Sequence, residues 1–222
     1  MTTVTFIAKQ CFVCGQTSPQ VEPGIRGIGQ PDELDSRPGG VHRSSIYLFI
    51  QHCIHCGYCA PNINQGDKNV EEIVYSDDYQ RILRAKDLPE TAISFRCWSH
   101  IQHSYENLVD SGWATLFAAW VCDDDSRFKQ AAADLRYDAY CLFVRSRSID
   151  QPFADTKGDE EIILIDLLRR SNHFDKALDH IRGCIGQKWD VRIHQLLLFE
   201  QELCEEKDAR PHLLSEALED PE

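Results

Sequence analysis

"CIHCGYC", residues 53–59, sets three cysteines and a histidine in seven positions. Its first part, Cys53-x2-Cys56-Gly57, repeats a device found upstream in "CFVCG", residues 11–15, where Cys11-x2-Cys14-Gly15 has the same spacing. Two thiolates at this spacing reach one ion from a tight turn. Two such pairs complete a sulfur tetrahedron at about 2.3 Å around Zn2+. Glycine after the second cysteine accepts a left-handed backbone, which turns N–H groups toward the sulfurs. Cys11, Cys14, Cys53 and Cys56 are therefore the expected ligands of one Zn2+. Four thiolates leave no open coordination position, so the ion is expected to be structural. Binding it orders the flanking chain and closes the 38 residues between Cys14 and Cys53.

An iron–sulfur cluster is the rival, because Cys53-x2-Cys56-x2-Cys59 starts like a ferredoxin run. That run needs a fourth cysteine three residues further on. "CAPNIN" follows instead. The upstream pair would also lose its purpose. Cys59 then reads as a spare thiol under the ribbon, and His52 and His55 as solvent-facing neighbours of the ligands. Cys97, Cys122, Cys141, Cys184 and Cys204 stand alone in helical, apolar surroundings and are expected as small core residues.

The remaining composition narrows the class. A chain of 222 residues is long enough for a core of its own. No run of about 18 apolar residues is present, so no membrane span is expected. "MTTVTFIAKQC" lacks the parts of a signal peptide, and paired CxxC spacing suits a reducing compartment, so the expected location is cytoplasmic. The net charge is −13. Residues 76–222 carry 18 of the 23 Lys/Arg and 29 of the 36 Asp/Glu. Such a surface forgoes the counterion release that drives nucleic-acid binding, so a nucleic-acid-binding ribbon is the weakest functional class.

The predicted fold is α+β, mostly α. Residues 1–75 form a small zinc-ribbon-like β module, and residues 76–222 a helical, tetratricopeptide-like region. Strands are expected over 4–10 and 46–51, each running into a knuckle. Residues 17–43 are dense in Gly and Pro and read as a long loop, and 60–75 as a polar connector. Helical periodicity follows in "DYQRILRA", "TAISFRCWSHIQHSYENLV" and "GWATLFAAWVC". It continues in "SRFKQAAADLRYDAYCLFVRSR", with an N-cap near Ser126. Three further helices are expected over about 159–171, 174–185 and 188–207, with Pro211 and the acidic tail ending the fold. "LLRRSNHFDKAL" reads as the turn of a helical hairpin with Ala177 as its small packing residue.

The loop "GIGQPDELDSRPGG" gathers Asp32, Asp35 and Arg37, with His42 and Arg43 just beyond. Turn chemistry accounts for many such residues. The same group offers a ligand or partner loop, and Asp32, Asp35 and His42 offer a second metal site or an acid–base pair. No P-loop, nucleophile elbow, HExxH, dinucleotide or deaminase motif accompanies them, and no residue is assigned a catalytic role.

"CFVCG", "GQPDELDSRP", "HRSSIYLFIQHCIHCGY" and the helical C-terminal half together resemble a bacterial family, the domain of unknown function 2225. The resemblance covers most of the chain. It implies zinc on Cys11, Cys14, Cys53 and Cys56, a bacterial cytosolic setting, and Asp32, Asp35, Arg37 and Pro38 as the family loop. It implies no activity. Phe12 and Ile54 stand where such knuckles often carry Pro, which alters turn stiffness and not ligation.

The leading expectation is a non-enzymatic adaptor that binds a protein or peptide through its helical region and ribbon loop. A small-molecule sensor or enzyme using the loop is the alternative. The adaptor reading predicts that Asp35→Ala leaves the fold intact. Oligomeric state is not legible.

Overall fold

In the computed structural model, which describes residues 4–23 and 29–218, each knuckle is the turn of a hairpin. Val4–Gln10 (β1) pairs antiparallel with Thr17–Pro23 (β2), Gln10 standing opposite Thr17. Gln51–His52 (β3) pairs with Cys59–Ala60 (β4) in the same way. The two turns share one hydrogen-bond pattern. Cys11 N–H donates to Gln16 O and Gly15 N–H to Cys11 O; Cys53 N–H donates to Tyr58 O and Gly57 N–H to Cys53 O. Gly57 has φ +80°, a left-handed backbone that favours glycine, and a Cβ there would press on the Leu83 side chain.

Two expectations are corrected at this end. Residues 17–23 are strand, not loop; Pro19 and Pro23 obscured it, yet proline is tolerated on an edge strand. The strand expected over 46–51 shrinks to Gln51–His52. Gly40–Ser44 (α1) and a 3-10 turn, Ile46–Phe49, precede it. The turn buries Ile46 and Leu48 and exposes Tyr47, the same alternation a strand would show. The hairpins share no ladder. Amide side chains join them instead: Gln20 Nε2 donates to His52 O at 2.9 Å and Gln51 Nε2 to Val21 O at 3.3 Å. Residues 24–28 of the expected loop lie outside the described residues.

The connector contains a short helix, Val70–Val74 (α2). Asp77–Leu83 (α3) follows, opened by Ser76 Oγ accepting the Tyr79 N–H. Tyr79 then seats the ribbon on the helices, since its hydroxyl donates to Gly57 O at 2.8 Å and accepts the Cys59 N–H at 3.0 Å. Glu90–Ser104 (α4), Leu108–Asp123 (α5), Lys129–Ser148 (α6), Lys157–Arg170 (α7), Phe174–Ile185 (α8) and Val191–Glu205 (α9) each pack on the next. Side-chain caps start several of them: Asn107 for α5, Thr156 for α7 and Asp190 for α9. Asp125, not Ser126, caps the 3-10 turn Ser126–Phe128 that leads into α6. None of the helices of the described residues is long and apolar enough to cross a membrane.

One apolar core runs without a break from Cys11, Ile46, Tyr58 and Ile63 in the ribbon to Phe95, Trp120, Phe143 and Leu167 in the helices. A second fills α7–α9 and takes in Leu34 from the ribbon loop. Cys97, Cys122, Cys184 and Cys204 are buried as expected. Cys141 is exposed, because the buried stripe of α6 runs through Ala132, Leu135, Ala139 and Phe143 on the other face. The hairpin between α7 and α8 has the expected form. Asn172 takes φ +64°, His173 N–H returns to Leu168 O, and Ala177 is fully buried.

The fold does not end at Pro211. Leu213 bridges to Glu33, Leu34 N–H donates to His212 O, and Leu214–Ala217 (α10) closes the chain's described part. Arg169 anchors this return. Its Nη1 donates to Asp208 O at 2.7 Å and Arg210 O at 2.9 Å, its Nε to Glu200 Oε2 at 2.8 Å, and its Nη2 to Asp166. Two buried carboxyl groups thus share one guanidinium through one oxygen each, and Glu200 Oε1 and Asp166 Oδ2 have no hydrogen-bond partner among the described residues. Burial, reinforced by Asp166 and opposed by Arg169, pushes Glu200 up to about 8 from 4.5.

This fixes a sign. Folded Glu200 holds its proton up to about pH 8, while unfolded Glu200 releases it near 4.5, so stability falls as pH rises through that window. Thermal unfolding of the protein from pH 5 to 9 should show the decline, and Glu200→Gln should flatten it.

Candidate metal centre

The two hairpin turns face each other and bring four sulfurs together. Cys11 Sγ lies 3.7 Å from Cys56 Sγ, and Cys14 Sγ 3.7 Å from Cys53 Sγ. All four lie within 4.8 Å of one another. A tetrahedron of that edge places its centre about 2.3 Å from each sulfur, a metal–thiolate bond length. Cys11 and Cys53 are buried, and Cys14 and Cys56 half-buried. The donor set therefore fits a single four-coordinate metal ion.

The turns also aim backbone N–H groups at sulfur. Those of Val13 and Cys14 serve Cys11, and those of His55 and Cys56 serve Cys53. Burial pushes the Cys11 and Cys56 thiols up, and their crowded neighbours add to it. Burial opposes ionisation of Cys53 too, yet its two backbone donors and the neighbouring thiols hold it below the usual range. Four thiolates this close are stable together only around a cation. Cys59 is not a fifth ligand. It is fully buried, its thiol donates to Gly57 O at 3.3 Å, and burial raises it well above the ordinary value. His52 and His55 are exposed, with His55 Nε2 3.3 Å from Thr17 O.

The loop residues separate into different settings. Asp35 is completely buried. Its Oδ2 accepts from Trp120 Nε1 at 2.9 Å, from Arg136 Nη2 at 2.9 Å and from Arg170 Nη1 at 2.9 Å. Burial works against its charge, but Arg170 and Arg136 outweigh it and hold the carboxyl at about 2. Arg37 is equally buried, with Nη2 2.8 Å from Asp124 and Nη1 3.6 Å from Asp123, while its Nε has no hydrogen-bond partner among the described residues. Asp123 also meets Arg136 and, at 3.0 Å, Arg170. Arg43 pairs with buried Glu33.

Asp32 is exposed and contributes its backbone, accepting from Leu214 N–H and donating to Arg37 O. His42 packs its ring against Gly29, and its buried Nδ1 has no partner among the described residues. Asp32, Asp35 and His42 form no metal-capable cluster among the described residues. The second metal or acid–base pair offered by this loop is therefore not assembled.

Sequence reading missed Asp123, Asp124, Arg136 and Arg170. The signals were there. Acids at the C-terminus of α5 oppose the helix macrodipole unless they are paired, and Arg136 interrupts the apolar stripe of α6. A second trio, Glu161, His180 and Cys184, also lies within ligand reach. Arg147 already forks onto Glu161 at 2.9 and 3.2 Å, and His180 Nε2 bonds it at 2.5 Å. Burial pushes the Cys184 thiol up to about 11, the reverse of an activated nucleophile.

Compared with known proteins, the chain matches no family model, no curated protein and no solved structure.

Two outcomes follow from these sites. Because ligand thiols must lose protons to bind, metal affinity should weaken as pH falls from 8 to 6, by roughly tenfold or more per unit, in a chelator competition titration. Asp35→Asn leaves the buried guanidinium groups of Arg136 and Arg170 short of a charge and should cost about 3–5 kcal/mol in urea unfolding at pH 7. This replaces the expectation that Asp35→Ala leaves the fold intact. The Asp35 contribution is present above its unfolded value of 3.8 and lost as pH falls through about 2, so variant and parent should converge there.

Proposed function

We propose that the chain is a non-enzymatic zinc protein whose helical region serves as an adaptor for a protein or peptide. The observation that carries the metal half is the sulfur tetrahedron, with its 3.7 Å edges. An all-thiolate tetrahedral site suits Zn2+, and with every position filled by sulfur the ion is structural. A polynuclear iron–sulfur cluster needs its thiolates spread around several irons, which a hole for one ion does not provide. The zinc clamps two hairpins, the second of which, β3–β4, pairs at only two positions.

The adaptor half is supported by what the loop residues are used for. Asp35 and Arg37, the most functional-looking pair in the sequence, are spent on holding the loop to α5, α6 and α7. That favours a scaffold over an enzyme or sensor built on the loop. Stacked helical hairpins of tetratricopeptide type commonly form the concave surfaces that such adaptors use. An acidic chain favours a protein partner over nucleic acid. A cytoplasmic location, which keeps thiols reduced, and membership of the domain of unknown function 2225 belong to the same proposal.

Elemental analysis of the purified protein should find about one zinc per chain. Iron with visible absorbance would overturn the metal assignment. Affinity purification from the native host should return one protein in stoichiometric amount, and small-molecule turnover by the isolated protein would refute the adaptor reading.

A further inference from the structure

A cavity of about 770 Å³ opens where the ribbon loop meets α4, α5 and α7, away from the sulfurs. Phe95, Trp98, Trp113, Phe117, Trp120 and Phe153 line it. The rings support one another. Phe117 meets Phe95 edge-on at 5.5 Å and lies 6.1 Å from Trp113 and 4.9 Å from Trp120. Phe95, Trp120 and Phe153 are buried behind the wall, and Trp98, Trp113 and Phe117 are half-buried and present the accessible aromatic surface, which suits apolar groups and cations.

The rim specifies the charge. Glu33, Asp110, Asp155 and Asp159 border the cavity, against one cation among the described residues, Arg192. Arg192 is already paired with Asp159 at 2.7 Å, and Glu33 with Arg43. Asp110 is met by the Asn107 amide, and Asp155 is exposed. Neither has an ion-pair partner among the described residues. Asp110, Trp113 and Phe117 fall on one face of α5, three and four residues apart, so a carboxylate stands at the end of an aromatic stripe.

One donor is left over. Three of the four tryptophans spend their N–H groups inside the protein: Trp113 on Phe153 O, Trp120 on Asp35 and Trp189 on Cys184 O. Trp98 has no acceptor among the described residues, and indole N–H can only donate. A peptide carbonyl would satisfy it.

We propose that this cavity is the adaptor's docking groove and that its occupant is a peptide segment with a lysine or arginine beside large apolar side chains. The basic group lies at Asp110 and Asp155, the apolar groups on the rings, and a main-chain carbonyl at Trp98. The proposal rests on the adaptor reading and adds the chemistry of the partner.

A random peptide library displayed on phage and selected against the zinc-loaded protein tests it. Enriched peptides should carry Lys or Arg next to Trp, Phe or Leu. Synthetic copies, titrated by calorimetry, should bind the Asp110→Asn/Asp155→Asn double variant about five- to tenfold more weakly. Copies with norleucine for lysine should not distinguish the two proteins. Trp98→Phe should weaken binding while zinc content and far-UV circular dichroism stay unchanged. Enriched peptides that are neutral or acidic, or that bind the double variant and Trp98→Phe as tightly as the parent, overturn the groove assignment and leave the adaptor reading standing. Failure to enrich any peptide overturns both.

Discussion

The carboxylate of Asp35 lies where four parts of the chain meet. Arg136 from α6, Arg170 from α7 and the Trp120 indole from α5 all converge on its Oδ2, and the Arg37 N–H approaches its Oδ1. A charge taken this far from water is tolerable only when its partners are complete and well placed. Each partner is then fixed in turn. Arg136 and Arg170 share Asp123, and Arg37 reaches Asp123 and Asp124 at the end of α5. The relative placement of loop and helices is thus set by a network with few alternative arrangements. Apolar packing alone tolerates more sliding.

The cysteine cluster and the ion network divide the ribbon's long excursion between them. The sulfurs pin the turns at 11–16 and 53–58, and the network pins residues 33–37 between them. Chain return reinforces the second anchor, because Leu213 and Leu214 pair with Glu33 and Asp32. Arg169, next to Arg170 in sequence, faces the opposite way and ties the same return segment to α7 and α9. Adjacent arginines at one helix end therefore hold two separate buried networks. The same anchors shape the aromatic cavity: Asp35 orients Trp120 on its wall, and the loop that Asp35 secures forms one of its sides.

Much of this was written locally. Two CxxCG turns name their ligands because the spacing and the glycine are requirements of the turn itself, independent of the rest of the chain. The helices from α4 to α9 followed their apolar periodicity, and the Ser171–His173 break between α7 and α8 fell where Asn172 adopts a left-handed backbone. Short-range patterns failed where burial changed their meaning. The alternation in "IYLF" serves a 3-10 turn instead of a strand, and Pro19 hid an edge strand whose pairing depends on the knuckle beside it. Cys141 lies on the outward face of α6 although its neighbours are apolar.

By itself, then, the sequence determined the candidate metal ligands, the order of the helices and the acidic surface, because each depends on near neighbours or on composition. Only the tertiary structure decided what Asp35 and Arg37 are for. Their partners are 85 to 135 residues away from Asp35 and 87 away from Arg37, on helices whose own periodicity says nothing about the loop. The aromatic cavity is of the same kind. Its rings come from separate helices and a distant loop, and all read in sequence as ordinary core until packing leaves Trp98, Trp113 and Phe117 half-covered. Charge and shape at a distance are properties of the packed chain, and a pattern of neighbours does not contain them.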